Sequence, residues 1–493
     1  MKKIIQASFF IFLLLISSCN KNENPTEVIS NQESVSKREP LSGSEVANYI
    51  DRTYSLNNGF NWAMADNLVL WSAALAGDHM LSIGVGKESL SEKSQEDLQK
   101  IILAQLSQIE GVSLSDLLVY QDDHLHYIDV KITKLESVDY LRKLEDLRYI
   151  EPVAYNYFSY NQTRSSSGCT TESDVISTAD YGTLSTGAKV PWNYYIHNID
   201  KAWAYSKGRG ITVGVIDTGV SDYQPNLGSK FDDYYSGRHI EKYGTYIDSN
   251  LYWSTNYDGY HDKCGHGTSC NAVVGAPNNN NYSPVGVAYE CNLISYRATA
   301  DVVLDDYHER KGVTMALEAL ADRSDVKIIS MSIGYPWSIG NIEDAVKYAY
   351  SKGKLIFAAG GTSTEYTNWY PVIFPASMSE TVAVTGVEES ATYNECDVCH
   401  TGEKIDFTYV MERDNNNHQP VTGYYADTAN YFGGSSVATA STAGIAALVW
   451  ARYPDWSRSQ VLERLKQSAY FYPYEHEDFG YGNIDALKAV RGY

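Results

Sequence analysis

The chain has 493 residues, enough for two or three domains, and its aliphatic and aromatic content supports a large core. Its formal charge of -22 argues against a nucleic-acid partner, since a phosphate backbone is bound through a basic face. The same charge keeps an exported protein soluble, and the 41 tyrosines assign no ligand by themselves.

The N-terminus sets the address. Lys2-Lys3 precedes an apolar run from Phe9 to Ile16 and then Ser17-Ser18-Cys19, the layout of a secretory signal whose apolar core is too short to span a bilayer. A cysteine directly after small residues resembles a bacterial lipobox, which implies loss of residues 1–18 and a lipid on Cys19; the alternative is an ordinary signal with a chance cysteine. Asn20 is not the aspartate of an inner-membrane retention signal, so the expected location is the cell envelope, on the outer membrane or cell surface. Residues 19–44, polar and rich in Ser, Asn, Glu and Lys, read as a disordered tether. Residues 45–94 read as a helical extension of unassigned role.

Residues 95–160 read as a small α+β unit. A helix is expected over Gln95–Leu106, an alternating strand over His126–Ile132, and a second helix over Ser137–Leu144 with Ser137 as its cap. Tyr149-Ile150-Glu151-Pro152 follows as an extended segment. Residues 161–190, rich in Ser, Thr and Gly, read as a linker.

Three islands stand in order in the remaining segment, 191–493: Asp217 in Val215-Ile216-Asp217-Thr218-Gly219, His266 in Gly265-His266-Gly267-Thr268, and Ser436 in Gly434-Ser435-Ser436-Val437-Ala438. Ile211–Ile216 is a buried-strand pattern with Asp217 at its carboxyl end, where open α/β sheets place their sites. His266 and Ser436 each open a small-residue helix, and the run after Ser436 is apolar almost all round, as in a core helix. One island alone reads as a strand ending, a buried histidine or a loop. Together they supply what nucleophilic catalysis by a serine needs: an imidazole to take the hydroxyl proton and a carboxylate to fix the imidazole tautomer.

On these residues the chain resembles a subtilisin-like serine protease, a subtilase. The resemblance extends to Gly286–Ser295, to Ser330-Met331-Ser332-Ile333-Gly334, to Phe374-Pro375-Ala376-Ser377 and to Phe479–Ala486. It implies an α/β subtilisin-like fold, mostly parallel sheet flanked by helices and preceded by a small α+β propeptide domain. Ser436 would be the nucleophile, His266 the general base and Asp217 its orienting carboxylate. Ser332, Ile333 and Gly334 would line the substrate strand by β-augmentation. The 95–160 unit resembles the family's inhibitory propeptide, with autoprocessing in the linker. The implied partners are a polypeptide substrate, the chain's own propeptide and, through the Cys19 lipid, a membrane. The chemistry needs no cofactor, and structural calcium is allowed.

The pattern also departs from the family. Gly361, in Phe357-Ala358-Ala359-Gly360-Gly361-Thr362, stands where the family has an oxyanion-binding Asn. Losing such a donor costs roughly 100- to 1000-fold in rate. Thr362, Ser363, Thr364 or Asn368 are candidate replacements, a rearranged loop around the Ser436 N–H is another, and a slow or narrow protease is the remaining reading. Gly361 is also the main support for a rival reading, a catalytically silent subtilase-fold binding module. A sedolisin-type acid peptidase is a third reading, opposed by His266, since those enzymes use a carboxylate as base. Six cysteines besides Cys19 leave the disulfide pairing open. A Cys264–Cys270 bridge would stiffen the histidine loop. Cys396-Asp397-Val398-Cys399-His400 has haem-attachment spacing, but a local disulfide or metal clip suits its context better.

Overall fold

Seven runs between Thr212 and Glu412 form one all-parallel sheet. Its spatial order is Phe407–Glu412, Thr381–Glu388, Leu355–Ala359, Val326–Met331, Thr212–Asp217, Asn292–Arg297, Ile240–Gly244. The structure is a computed structural model and describes residues 39–87, 90–161, 168–233, 237–362, 371–390 and 393–492. Cys19, the signal segment and most of the expected tether lie outside the described residues, and every helix and strand of the fold belongs to the compact unit Pro40–Tyr493.

A parallel strand covered on both faces has to be apolar on both, and Thr212–Asp217 is buried along its whole length. Val213 and Val215 pack with the histidine helix, His266–Gly275, and the serine helix, Gly434–Arg452. Ile216 and Ile329 pack on the other side with the helices Tyr307–Asp322 and Gly340–Ser351. The strand order reverses between Thr212–Asp217 and Val326–Met331, which opens a crevice beyond their carboxyl ends. The serine helix is the one described helix long and apolar enough to cross a membrane, and 89% of that apolar window is buried inside the fold. Its composition reflects a core position.

The N-terminal unit is a four-stranded antiparallel sheet in the order Leu118–Asp122, Tyr127–Lys131, Met80–Val85, Leu147–Glu151, with helices Glu92–Glu110 and Leu135–Leu141. Met80–Val85 is an inner strand, so the expected boundary at residue 95 cuts the unit in two. Helices Gly43–Asn57 and Asn67–Ala76 share its core through Val46, Ile50 and Leu70. The 45–94 extension is therefore part of the unit. The tether also ends earlier than 44, because Ser42 closes a capping box with Glu45 and starts the first helix at Gly43. Ser137 is not a cap: the helix starts at Leu135, and the Ser137 hydroxyl donates to the Glu110 carboxylate at 2.5 Å.

The cores of the two parts are continuous. Phe60 and Tyr157 meet Trp337 edge-on at 5.1 and 5.0 Å, and Trp62, Tyr155, Ile339 and Ala345 lie in one cluster. The linker is also docked from residue 168 onward. Tyr181–Thr183 pairs with Lys189–Pro191, and the Asp180 carboxylate binds Arg413, Asn417 and Tyr431.

Leu320 is fully buried, and a Cβ on Gly214 would lie 2.6 Å from its Cδ1, so this glycine admits the helix onto the sheet. Leu320→Ala is expected to cost about 2–5 kcal/mol in urea unfolding, by lost transfer energy plus an unfilled cavity.

Candidate active site

Asp217 ends the central strand with its side chain buried. Its Oδ1 accepts the Thr218 N–H and the His266 Nδ1–H, each at 2.8 Å. A carboxylate only accepts, so Nδ1 carries the proton and Nε2 is left as an acceptor. His266 Nε2 lies 3.0 Å from Ser436 Oγ. The three expected residues therefore meet in one hydrogen-bonded chain, with Ser436 half-buried at the crevice. The arrangement can move the Ser436 proton onto His266 as Oγ attacks, while Asp217 stabilises the imidazolium.

Burial alone would lower the His266 pKa. The charge and hydrogen bond of Asp217, with the charge of Asp262, outweigh it and hold the group above its ordinary value.

Asp262 organises this loop and was not singled out from sequence. It is fully buried, and Oδ1 accepts from the N–H groups of Cys264 and Gly265 and from the Thr218 hydroxyl. Oδ2 accepts from the N–H and hydroxyl of Thr268. The Thr218 hydroxyl in turn accepts the Gly267 N–H, which joins the Asp217 strand to the histidine helix. The available signal was an acidic residue just before Gly265-His266, where a helix N-terminus favours a negative capping group.

The structure settles the pairing that sequence left open: no Cys264–Cys270 bridge forms, and the local disulfide weighed for Cys396 and Cys399 does. Cys264 is bonded to Cys169, across 95 residues, and Cys396 to Cys399. Cys270 faces inward from the histidine helix, its thiol 3.7 Å from His266 Nδ1 and its pKa pushed up by burial and by Asp217. The Cys169 bridge straps the former linker against the site. A Cβ on Gly265 would lie 2.0 Å from Thr170 O, and one on Gly168 would lie 3.6 Å from His266 Cδ2. His400, the histidine of the haem-like spacing, is buried, with Nδ1 3.2 Å from Pro371 O.

The expected substrate edge is occupied. The Gly334 N–H donates to Val302 O at 3.0 Å, and Gly334 O accepts the Leu304 N–H at 3.1 Å. Ile333 is buried, and Ser332 donates its hydroxyl to Ser436 O at 3.2 Å. In this state the segment 302–304 takes the place at Gly334 where a substrate strand was expected.

Gly361 has no room for an asparagine. Its φ is +125°, and a Cβ would lie 2.3 Å from His400 Nδ1. Its N–H donates to Ser435 Oγ at 3.3 Å. Thr362 touches the same serine, with Oγ1 accepting the Ser435 N–H at 2.9 Å and lying 2.9 Å from Ser435 Oγ. Ser363, Thr364 and Asn368 lie outside the described residues.

Among the described residues, two triads of side chains are close enough to share a cation: Asp217, His266 and Cys270, and His239, Glu241 and Asp325. The second is committed to Arg323, at 2.6 Å from Glu241 and 2.9 Å from Asp325. Neither presents the oxygen-rich shell that calcium takes.

The sequence profile of the Subtilase family, Peptidase_S8, matches residues 208–482, more than half of the chain. The chain belongs to the subtilase family. It is 27% identical over 304 residues to the subtilisin of Bacillus sp. strain TA39, covering 59% of this chain and 68% of that protein. Thermitase of Thermoactinomyces vulgaris is 26% identical over 300 residues, 59% of this chain and 92% of that one. The fold is similar to fervidolysin from Fervidobacterium pennivorans, a keratinolytic enzyme related to subtilisin. The TM-score is 0.58 at 15% identity, over 84% of this chain and 61% of that one. Membership of this family supports a serine peptidase, with a polypeptide as the implied substrate.

A base has to be neutral to accept a proton, so kcat/KM of this subtilase is expected to rise with pH through a limb above 6.5, the ordinary histidine value. Asp217→Asn removes the charge that raises His266. It is expected to move that limb down and to lower kcat by about 10⁴-fold.

Proposed function

We propose that this subtilase is an exported, lipid-anchored serine endopeptidase made as an autoprocessed zymogen. The observation that carries the catalytic part is the continuous chain from Asp217 through His266 to Ser436. In the proposed reaction Ser436 Oγ bonds to the scissile carbonyl carbon as its proton passes to His266 Nε2. His266 returns that proton to the leaving amine, and water then releases the acyl group by the same route.

The zymogen reading rests on the N-terminal unit and its tail. Arg148 pairs with Asp344 at 2.8 Å, the Glu151 carboxylate accepts the Gly340 N–H, and Asp129 accepts from the Tyr307 hydroxyl at 2.9 Å. The tail also bears on the occupied substrate edge. The Arg310 guanidinium donates to Val153 O at 2.8 Å and to Leu304 O at 3.0 Å. One side chain thus ties the tail to the segment that closes Gly334. Release of the tail would remove one of the two bonds that hold Arg310 there.

Lipid on Cys19 would tie the precursor to the envelope. The Cys169–Cys264 bridge makes the outcome depend on where the linker is cut. A cut before Cys169 leaves the anchor on a unit held by contacts alone. A cut after it leaves the two parts joined by the disulfide.

The rival reading, a silent binding module, draws on Gly361 and on the occupied Gly334 edge. Labelling with a fluorophosphonate separates the two. The endopeptidase reading expects the processed protein to be labelled at Ser436 and Ser436→Ala to be unlabelled. Folded, processed protein that takes no label would favour the binding module.

A pH dependence of the complex also follows. Burial first of all pushes Asp129 and Asp344 up to about 6 and Glu151 up to about 7, from ordinary values of 3.8 and 4.5. Groups that hold protons more tightly in the complex weaken it as pH rises from their free values through the raised ones. The cut N-terminal unit is expected to co-elute with the catalytic part at pH 5 and to separate at pH 8, in size-exclusion chromatography under reducing conditions.

A further inference from the structure

Acyl transfer places a negative charge on the substrate oxygen, and the site has to aim hydrogen-bond donors at it. Gly361 brings no side chain, and its N–H is directed at Ser435 Oγ. In the first turn of the serine helix the Gly434 N–H meets Met411 Sδ at 3.2 Å, and the Ser435 N–H is taken by Thr362 Oγ1. Among the described residues no acceptor meets the Ser436 N–H. That N–H is one donor, and a partner is needed beside it.

His400 packs where a side chain on Gly361 would point, but it has the wrong proton. Pro371 O can only accept, so His400 Nδ1 carries the hydrogen and a neutral ring leaves Nε2 as a bare lone pair. Burial lowers its pKa to about 4, so the ring stays neutral at neutral pH. A lone pair repels an oxyanion.

The hydroxyl pair resolves differently. Ser435 is buried, and among the described residues the one acceptor within reach of its hydroxyl proton is Thr362 Oγ1, at 2.9 Å. A buried hydroxyl proton takes its acceptor. Ser435 Oγ then accepts from Gly361 and donates to Thr362. Thr362 Oγ1 accepts twice, from the Ser435 N–H and from the Ser435 hydroxyl, which fills both lone pairs and leaves its own proton free. Thr362 is exposed, and among the described residues no acceptor meets that proton. Consecutive N–H groups of a helix's first turn point the same way. The hydroxyl that meets the Ser435 N–H therefore borders the space reached by the Ser436 N–H.

We infer that Thr362 is a catalytic residue, its hydroxyl donating with the Ser436 N–H to the oxyanion in place of the absent asparagine. The backbone around it is held in place. Thr362 bridges to Cys399, and the His400 N–H donates to Gly361 O at 3.0 Å, so the disulfide loop grips both sides of the turn. When Ser436 Oγ bonds to the carbonyl carbon, the C=O π pair moves onto oxygen, His266 takes the serine proton, and Thr362 stabilises the new charge without giving up its own proton.

The inference rests on Ser436 being the nucleophile, and the test keeps the two apart. Turnover of a chromogenic peptide by processed enzyme is measured for wild type, Ser436→Ala, Thr362→Val and Thr362→Ser. Loss of turnover in Ser436→Ala secures the underlying reading. Thr362→Val is then expected to lower kcat by about 100-fold or more with KM nearly unchanged, and Thr362→Ser to keep most of the activity. Thr362→Val within about threefold of wild type would overturn the inference, as would Thr362→Ser failing as badly as Thr362→Val. If Thr362→Val does not fold, a crystal structure of wild type with a peptide boronate on Ser436 decides. A boronate oxygen at about 2.7–3.1 Å from Thr362 Oγ1 supports the assignment, and one beyond hydrogen-bond reach contradicts it.

Discussion

A buried carboxylate set against a buried imidazole, Asp217 Oδ1 to His266 Nδ1 at 2.8 Å, is the contact on which the rest of the site depends. Burial opposes the charged imidazolium that catalysis must form, and the Asp217 carboxylate offsets that cost. The fold solves the problem by bringing a strand end and a helix start together and fastening both to Asp262. That carboxylate accepts hydrogen bonds from Thr218 on one side and from Cys264, Gly265 and Thr268 on the other. The histidine is thereby fixed in tautomer and position before substrate arrives, and Ser436 needs only to present its hydroxyl from the serine helix.

The N-terminal unit acts on the same place from a distance. Its core runs into the helices under the parallel sheet, and its tail reaches Arg310, which also holds the segment closing Gly334. The strap through Cys169 lies beside His266. The edge that a substrate strand would join is itself paired with the enzyme's own chain.

Much of this was legible in the sequence where chemistry is tied to a short local pattern. The strand ending at Asp217, the apolar helix after Ser436 and the helix opening at His266 follow from burial periodicity and small-residue runs, and they stand where expected. What was not legible depended on contacts distant in sequence. Met80–Val85 falls inside the 45–94 segment read as a helical extension, and only its pairing with Tyr127–Lys131 and Leu147–Glu151 makes it part of the N-terminal sheet. Cys264 has a near neighbour in Cys270, yet the histidine helix turns Cys270 inward and chain folding delivers Cys169 instead. Gly334 carries a backbone-pairing expectation, and the partner it finds at 302–304 comes from a tertiary contact that no local pattern announces. At Gly361 the sequence revealed a missing side chain, and the His400 ring supplies the steric reason.

If Ser436 is a working nucleophile and the chain is its own first substrate, full-length protein should process itself. Intact-mass analysis of wild type and Ser436→Ala reads this out. Under reducing conditions the wild type should resolve into two pieces divided between the N-terminal unit and the catalytic part, while Ser436→Ala remains one chain. Identical cleavage in both proteins, or a wild type that stays whole yet hydrolyses peptides, would rule out self-processing by Ser436.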